Sequence, residues 1–195
     1  MKLSKPDNRT TEYLPPDKLA SLLKAFESKP PVTANFFRFI LLTGLRRSEA
    51  IKLEWDDIDF ERAEILLRST KAGKDQLIPL SQGAITSLKN YGRHENAPQL
   101  VFPTPNGNLW NCRSLGRVFA RIRQRVELPK GFRLLHRLRH QYGSMLAENG
   151  ANIVELRDLL RHSDVLLSER YLHSNNKRLR QVANKLGNHL DKIAL

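Results

Sequence analysis

Six residues in this chain have the types and order that phosphoryl transfer without a metal requires. Arg46 stands in LLTGLRRSEA, Lys71 in RSTKAGKDQLIPL, His136 and Arg139 in LLHRLRHQYG, and His162 and Tyr171 in LLRHSDVLLSERYLH. Arginine, lysine and histidine can neutralise a phosphate and donate hydrogen bonds to it, and a phenol can attack it. A free phenol with a pKa of roughly 10 is a poor nucleophile at neutral pH. Tyr171 therefore needs a base or a strongly polarised phosphorus beside it.

Each residue also has a plainer reading. His136 and Arg139 are three apart on a predicted helix and share a face, with His140 one step further round; a solvated basic face is the alternative. Arg46 follows Thr43, Gly44 and Leu45 at a predicted helix start, where unpaired amides favour an anion. It can equally pair with Glu49, three residues on, and the two readings are compatible because Glu49 could orient the side chain it pairs with. Lys71 sits at the tip of a predicted hairpin beside Gly73, with Lys74 as its competitor. Tyr171 is flanked by Arg170 and His173, and the other phenols, Tyr13, Tyr91 and Tyr142, lack a comparable neighbourhood.

Composition bounds what could surround such a site. With 195 residues and 40% hydrophobic content, the chain can bury the core of one domain. Thirty-three Lys and Arg against twenty Asp and Glu leave a net charge of +13, which favours a polyanionic partner. The lone cysteine, Cys112, excludes an intramolecular disulfide and a multi-cysteine zinc cluster, and reads as a structural thiol. No apolar run approaches the roughly 20 residues needed to span a bilayer, and the polar start MKLSKPDNRTTEY is no secretory signal, so a cytoplasmic protein is expected.

The positioning elements follow from periodicity. Residues 1–12 are polar and read as a linker or arm. PPDKLASLLKAFESK has helical spacing with Leu19, Leu22, Leu23 and Phe26 on one face, broken by Pro30-Pro31. TANFFRFILLTGL is apolar nearly all round and predicts a buried helix ending near Gly44, with a short helix from about Arg46 through SEAIKL. Short apolar runs at Ile58–Phe60, Ile65–Leu67 and Leu77–Pro79 predict a small three-stranded antiparallel sheet, with Ala72-Gly73 in its second turn. Further helices are expected over GAITSLKNYG, the basic RSLGRVFARIRQRV, LLHRLRHQYGSMLAEN closed by Gly150, and NIVELRDLL. A short helix before Tyr171 and a last one over KRLRQVANKLGNHLDKIAL complete the series. The expected fold class is α+β, mostly helical.

Taken together, TGLRRSEAIKLEWDDID, STKAGKDQLIPL, LLHRLRHQYGSML and LLRHSDVLLSERYLH resemble, in order and spacing, the catalytic domain of the tyrosine recombinases, the phage-integrase family. The resemblance spans about residues 12–175, and the nine-residue step from His162 to Tyr171 matches the family pattern. It implies a catalytic domain over 13–174, a linker or arm over 1–12, and a C-terminal helix over 175–195 that either docks on a neighbouring protomer or folds back on its own core.

The resemblance also implies roles. Arg46 and Arg139 would clamp the nonbridging oxygens of the scissile phosphate, with His162 donating a further hydrogen bond. His136 would be the proton acceptor or phosphate-oriented partner of the tyrosine, and Lys71 the general acid on the departing 5′ oxygen. Tyr171 would attack to give a 3′-phosphotyrosine. Because that linkage keeps the bond energy, neither ATP nor a divalent metal would be needed, and no cofactor is expected. Arg47, Lys74, Arg137, His140 and Arg161 are the residues expected to touch DNA. The expected partner is double-stranded DNA, with a homo-oligomer (a tetramer in a synaptic complex) forming on it and a monomer as isolated domain.

Two departures stand out. Arg161 fills a place where the family usually has Gly, adding charge beside His162, and Arg137 replaces an acidic residue. The family's N-terminal core-binding domain has no counterpart in the short arm, so weak, salt-sensitive DNA binding is expected of this chain alone. A bacterial or phage-associated integrase is the leading expectation. A DNA-binding module or relic without turnover, and a type IB topoisomerase-like enzyme, are the alternatives.

Overall fold

The computed structural model of the chain describes residues 14–68, 75–128, 132–162 and 164–169. Three helices come first: α1 (Pro16–Glu27), α2 (Pro31–Thr43) and α3 (Arg47–Lys52). A 3-10 turn at Trp55–Asp57 leads into strands β1 (Ile58–Asp59), β2 (Glu64–Leu67) and β3 (Gln76–Pro79). Five helices follow: α4 (Gln82–Tyr91), α5 (Cys112–Arg125), α6 (Leu134–Glu148), α7 (Ile153–Leu160) and α8 (Leu166–Glu169). The fold is α+β and mostly helical, with one antiparallel sheet in the order β1-β2-β3. Among the described residues no helix is long and apolar enough to cross a membrane. The arm over 1–12, the Ala72-Gly73 turn and the last expected helix lie outside the described residues.

Local chemistry sets the helix ends. Pro16 and Pro31 open α1 and α2 in the first turn, where an amide has no intrahelical acceptor to lose. Pro31 is thus a start signal as well as the breaker that sequence reasoning made it, and α2 begins two residues before TANFF. Ser81 and Asn111 cap α4 and α5, accepting from the amides of Ala84 at 3.3 Å and Ser114 at 2.8 Å. Asn152 caps α7 in the same way, accepting from Val154 and Glu155.

The core is built around α2, whose Phe36, Phe37, Phe39 and Ile40 are fully buried. Phe37 stacks on Phe26 of α1 at 4.7 Å between ring centroids, and Phe39 meets Phe102 at 5.2 Å. Each such ring removed from water stabilises the fold by roughly 1.5–3 kcal/mol. The sheet attaches through one face: Ile65 pairs with Ile58 and with Ile78, and Ile65 and Ile78 are buried while Leu77 points out. A smaller apolar cluster of Ala147, Leu156 and Leu160, joined by Tyr142 and Leu146, fastens α7 to α6. That junction sets the path of the chain just after Leu160.

Candidate functional site

Where α2 ends, Gly44 adopts the left-handed conformation with φ 62°. A glycine is needed there twice over, because a Cβ would also fall 2.3 Å from Cδ1 of the Tyr142 ring. The turn delivers Arg46 as the residue that caps α3, and it leaves the Gly44 carbonyl facing α6 and the end of α7. Glu49, on the first turn of α3, accepts from the Arg46 amide at 2.7 Å through Oε2 and from Arg46 Nη1 at 2.8 Å through Oε1. The i, i+3 pairing weighed from sequence is therefore present.

Arg139 comes from the buried face of α6 and is only 9% exposed. Its Nη1 donates to the Gly44 carbonyl and its Nη2 to the Leu160 carbonyl. Arg46 Nη2 donates to the carbonyl of Arg161 at 2.7 Å. The two expected clamp residues thus sit over the same chain reversal, each with its guanidinium on backbone oxygens.

Arg161 differs from the expectation. Sequence reasoning assigned it to DNA, yet its side chain is 4% exposed and turned inward, donating to Glu49 Oε2 at 2.7 Å. It also donates to the carbonyls of Leu159 at 3.1 Å and Gly44 at 3.3 Å. The physical reason is the carboxylate: Glu49 accepts a charge-assisted hydrogen bond that offsets part of the cost of burying the guanidinium. Its backbone is left-handed, with φ 53° and ψ 47°, which costs a non-glycine residue roughly 1–2 kcal/mol.

Burial alone would raise the Glu49 carboxyl above its ordinary range. The charge of Arg161 and the hydrogen bonds from Arg46 outweigh it and hold the group low, hence ionised. Burial pushes the Arg161 guanidinium down from its ordinary value, against the opposing pull of Glu49. Burial likewise raises the Tyr142 phenol, with Arg161 and Arg139 pulling the other way.

His136 and His140 stand one turn apart on α6 with their Nε2 atoms 2.8 Å apart and rings edge to face. One ring nitrogen carries the hydrogen and the other accepts it, the roles depending on the tautomers. His162, just past α7, has Nδ1 2.9 Å from Oγ of Ser168, a fully buried serine on α8. If the hydroxyl donates there, the proton of the neutral ring sits on Nε2.

A groove of about 830 Å³ gathers these residues. Arg46, Arg47, His136, Arg139, His140 and His162 all line it, together with Arg123 and Arg133. Arg47 is exposed. Arg137 does not line the groove; its guanidinium lies over the Phe132 ring at 5.8 Å. Lys71, Lys74 and Tyr171 lie outside the described residues. Arg123, Arg133 and Ser168 were not singled out from sequence. The first belongs to a helix already read as basic, whereas a serine in SER carries no signal of burial beneath a histidine. Among the described residues no group of His, Cys, Asp or Glu could hold a metal ion.

Known proteins share this arrangement of elements. Residues 12–178 match the model of the Phage integrase family. The chain is 30% identical over 146 residues to tyrosine recombinase XerA of Pyrococcus furiosus, an alignment covering 73% of this chain and 50% of XerA. The chain thus spans about half the length of that curated relative. The Tn1549 transposon integrase in complex with circular intermediate DNA superposes with a TM-score of 0.72 at 22% identity, over 92% of this chain and 68% of the integrase. The catalytic domain of bacteriophage HP1 integrase superposes with a TM-score of 0.64 at 28% identity, over 88% of this chain and 93% of that domain. A match over residues 12–178 takes in the described fold from α1 to α8, and the chain belongs to the phage integrase family.

Proposed function

We propose that this chain is the catalytic domain of a site-specific DNA recombinase that cleaves and rejoins strands through a 3′-phosphotyrosine. The observation that carries the reading is the groove in which Arg46, His136, Arg139 and His162 converge from three separate segments. The net charge of +13 and the relative captured on circular intermediate DNA support a DNA substrate.

In this reading Arg46 and Arg139 keep their bonds to backbone carbonyls and turn their remaining N–H groups to the nonbridging oxygens of the scissile phosphate. Arg139 is buried, Arg46 is partly so, and both are already oriented by their hydrogen bonds, so little reorganisation accompanies the build-up of charge in the transition state. His162 donates from Nε2 while Ser168 holds Nδ1. Tyr171 Oη forms the bond to phosphorus as the bond to the 5′ oxygen breaks. The phenolic proton passes to His136, and Lys71 delivers a proton to the departing oxygen. A 5′ hydroxyl from a second strand then attacks the phosphotyrosine and regenerates Tyr171.

A DNA duplex nicked close to the cut site, so that the short 5′ product diffuses away, tests the reading. The wild-type chain is expected to accumulate a covalent adduct and Tyr171→Phe none. An unchanged adduct yield in Tyr171→Phe removes the nucleophile from its role. Binding without adduct in the wild type points to a non-catalytic DNA module, and relaxation of plasmid lacking a cognate site points to a topoisomerase.

A further inference from the structure

Arg161 reaches Arg46 by two independent routes. Its carbonyl accepts from Arg46 Nη2 at 2.7 Å, and its guanidinium grips Oε2 of Glu49, the carboxylate whose Oε1 holds Arg46 Nη1 at 2.8 Å. The Arg46 guanidinium is therefore bonded at both terminal nitrogens, once by the backbone of Arg161 and once by a carboxylate that Arg161 secures. The left-handed backbone at this position suits a glycine, so the side chain is kept against a conformational cost. It is also kept with Nε lacking a partner among the described residues. Solvation does not explain it, since the side chain is 4% exposed.

We propose that Arg161 is a positioning residue for Arg46: it ties the end of α7 to the start of α3 and fixes the guanidinium that grips the phosphate. The inference rests on the recombinase reading for what the grip is used for. The charged and titratable groups around the pair are Arg46 on Glu49's own turn, Arg161 from the end of α7, and Arg139 and Tyr142 of α6 behind Arg161. With Arg161 neutral, burial would dominate at Glu49 and its carboxyl would protonate at higher pH. Arg46 would then lose the ionised acceptor at Nη1.

The test compares wild type with Arg161→Gln, Arg161→Lys and Arg161→Gly. Three signals are read in the intact chain: the Glu49 carboxyl titration by carbon NMR, the Arg46 guanidinium nitrogen resonances, and the adduct rate on the nicked duplex. Arg161→Gln is expected to raise the Glu49 midpoint, release the Arg46 nitrogens into fast rotation and slow adduct formation roughly tenfold. Arg161→Lys, which keeps the charge, is expected to recover part of each. Arg161→Gly relieves the backbone and so is expected to fold whether or not the glutamine variant does, while showing the same defects as glutamine. A glycine variant as fast as wild type, or an unmoved Glu49 midpoint, overturns the proposal. A wild-type chain that forms no adduct sinks the recombinase reading alone, because the NMR signals still decide whether Arg161 holds Arg46.

Discussion

Gly44 and Tyr142 are in contact so close that the glycine has no room for a side chain: a Cβ would sit 2.3 Å from Cδ1 and 2.8 Å from Cε1 of the ring. The tyrosine comes from α6, the helix that also carries His136 and Arg139, and the glycine from the turn that delivers Arg46. This contact sets how closely the two halves of the site approach. It also places the Gly44 carbonyl where both Arg139 and Arg161 donate to it.

Gly44→Ala is therefore expected to destabilise the fold by about 2–5 kcal/mol, the sum of a left-handed alanine and a displaced ring. Urea denaturation followed by circular dichroism measures it. Adding Tyr142→Ala should remove the collision but not the backbone cost, so alanine at 44 should cost less in that background than in wild type. An equal cost in both backgrounds would assign the whole effect to the backbone.

What could be read from the chain alone divides by sequence distance. The all-round apolar character of TANFFRFILL announced α2 as the central helix, and the three-residue step from Arg46 to Glu49 announced their pairing. Both signals are local. Arg139 meets carbonyls 95 and 21 residues away, positions set by how α2, α6 and α7 pack, and no periodicity encodes that. Arg161 reads as one more surface cation until the carboxylate waiting 112 residues earlier comes into view. Ser168 is hidden although it lies six residues from His162, because the two meet only once α8 folds back over the end of α7.

Tyr91, at the end of α4, offers a stability test apart from the site. Burial pushes its phenol up to about 12 from an ordinary value of 10, and its hydroxyl has no partner among the described residues. A phenol whose folded pKa is raised contributes stability that is full below the unfolded value of 10 and is lost as pH rises toward about 12. Tyr91→Phe removes that alkaline loss. It also removes an unpaired buried hydroxyl, so at pH 7 the variant should be as stable as wild type or more stable, by up to ~1 kcal/mol. The check is the urea midpoint of each protein from pH 7 to 11. Parallel curves through the alkaline range would show that Tyr91 is not the group responsible.

Arg139 combines support of the fold with the proposed chemistry, and the two can be separated. In the structure described here its guanidinium bridges the carbonyls of Gly44 and Leu160. Arg139→Ala leaves both oxygens without that donor and should cost about 1–3 kcal/mol of stability. If the guanidinium also clamps the phosphate, adduct formation should fall by ~10²-fold or more at saturating DNA, with the protein still folded. Arg139→Lys should recover little of that rate, because one ammonium cannot reproduce a two-pronged donor. Free guanidinium ion, added well below denaturing concentration, should restore part of the rate to the alanine variant and none to Tyr171→Phe. Near-normal cleavage by folded Arg139→Ala would confine this arginine to holding α2 and α7 together and leave the phosphate to Arg46.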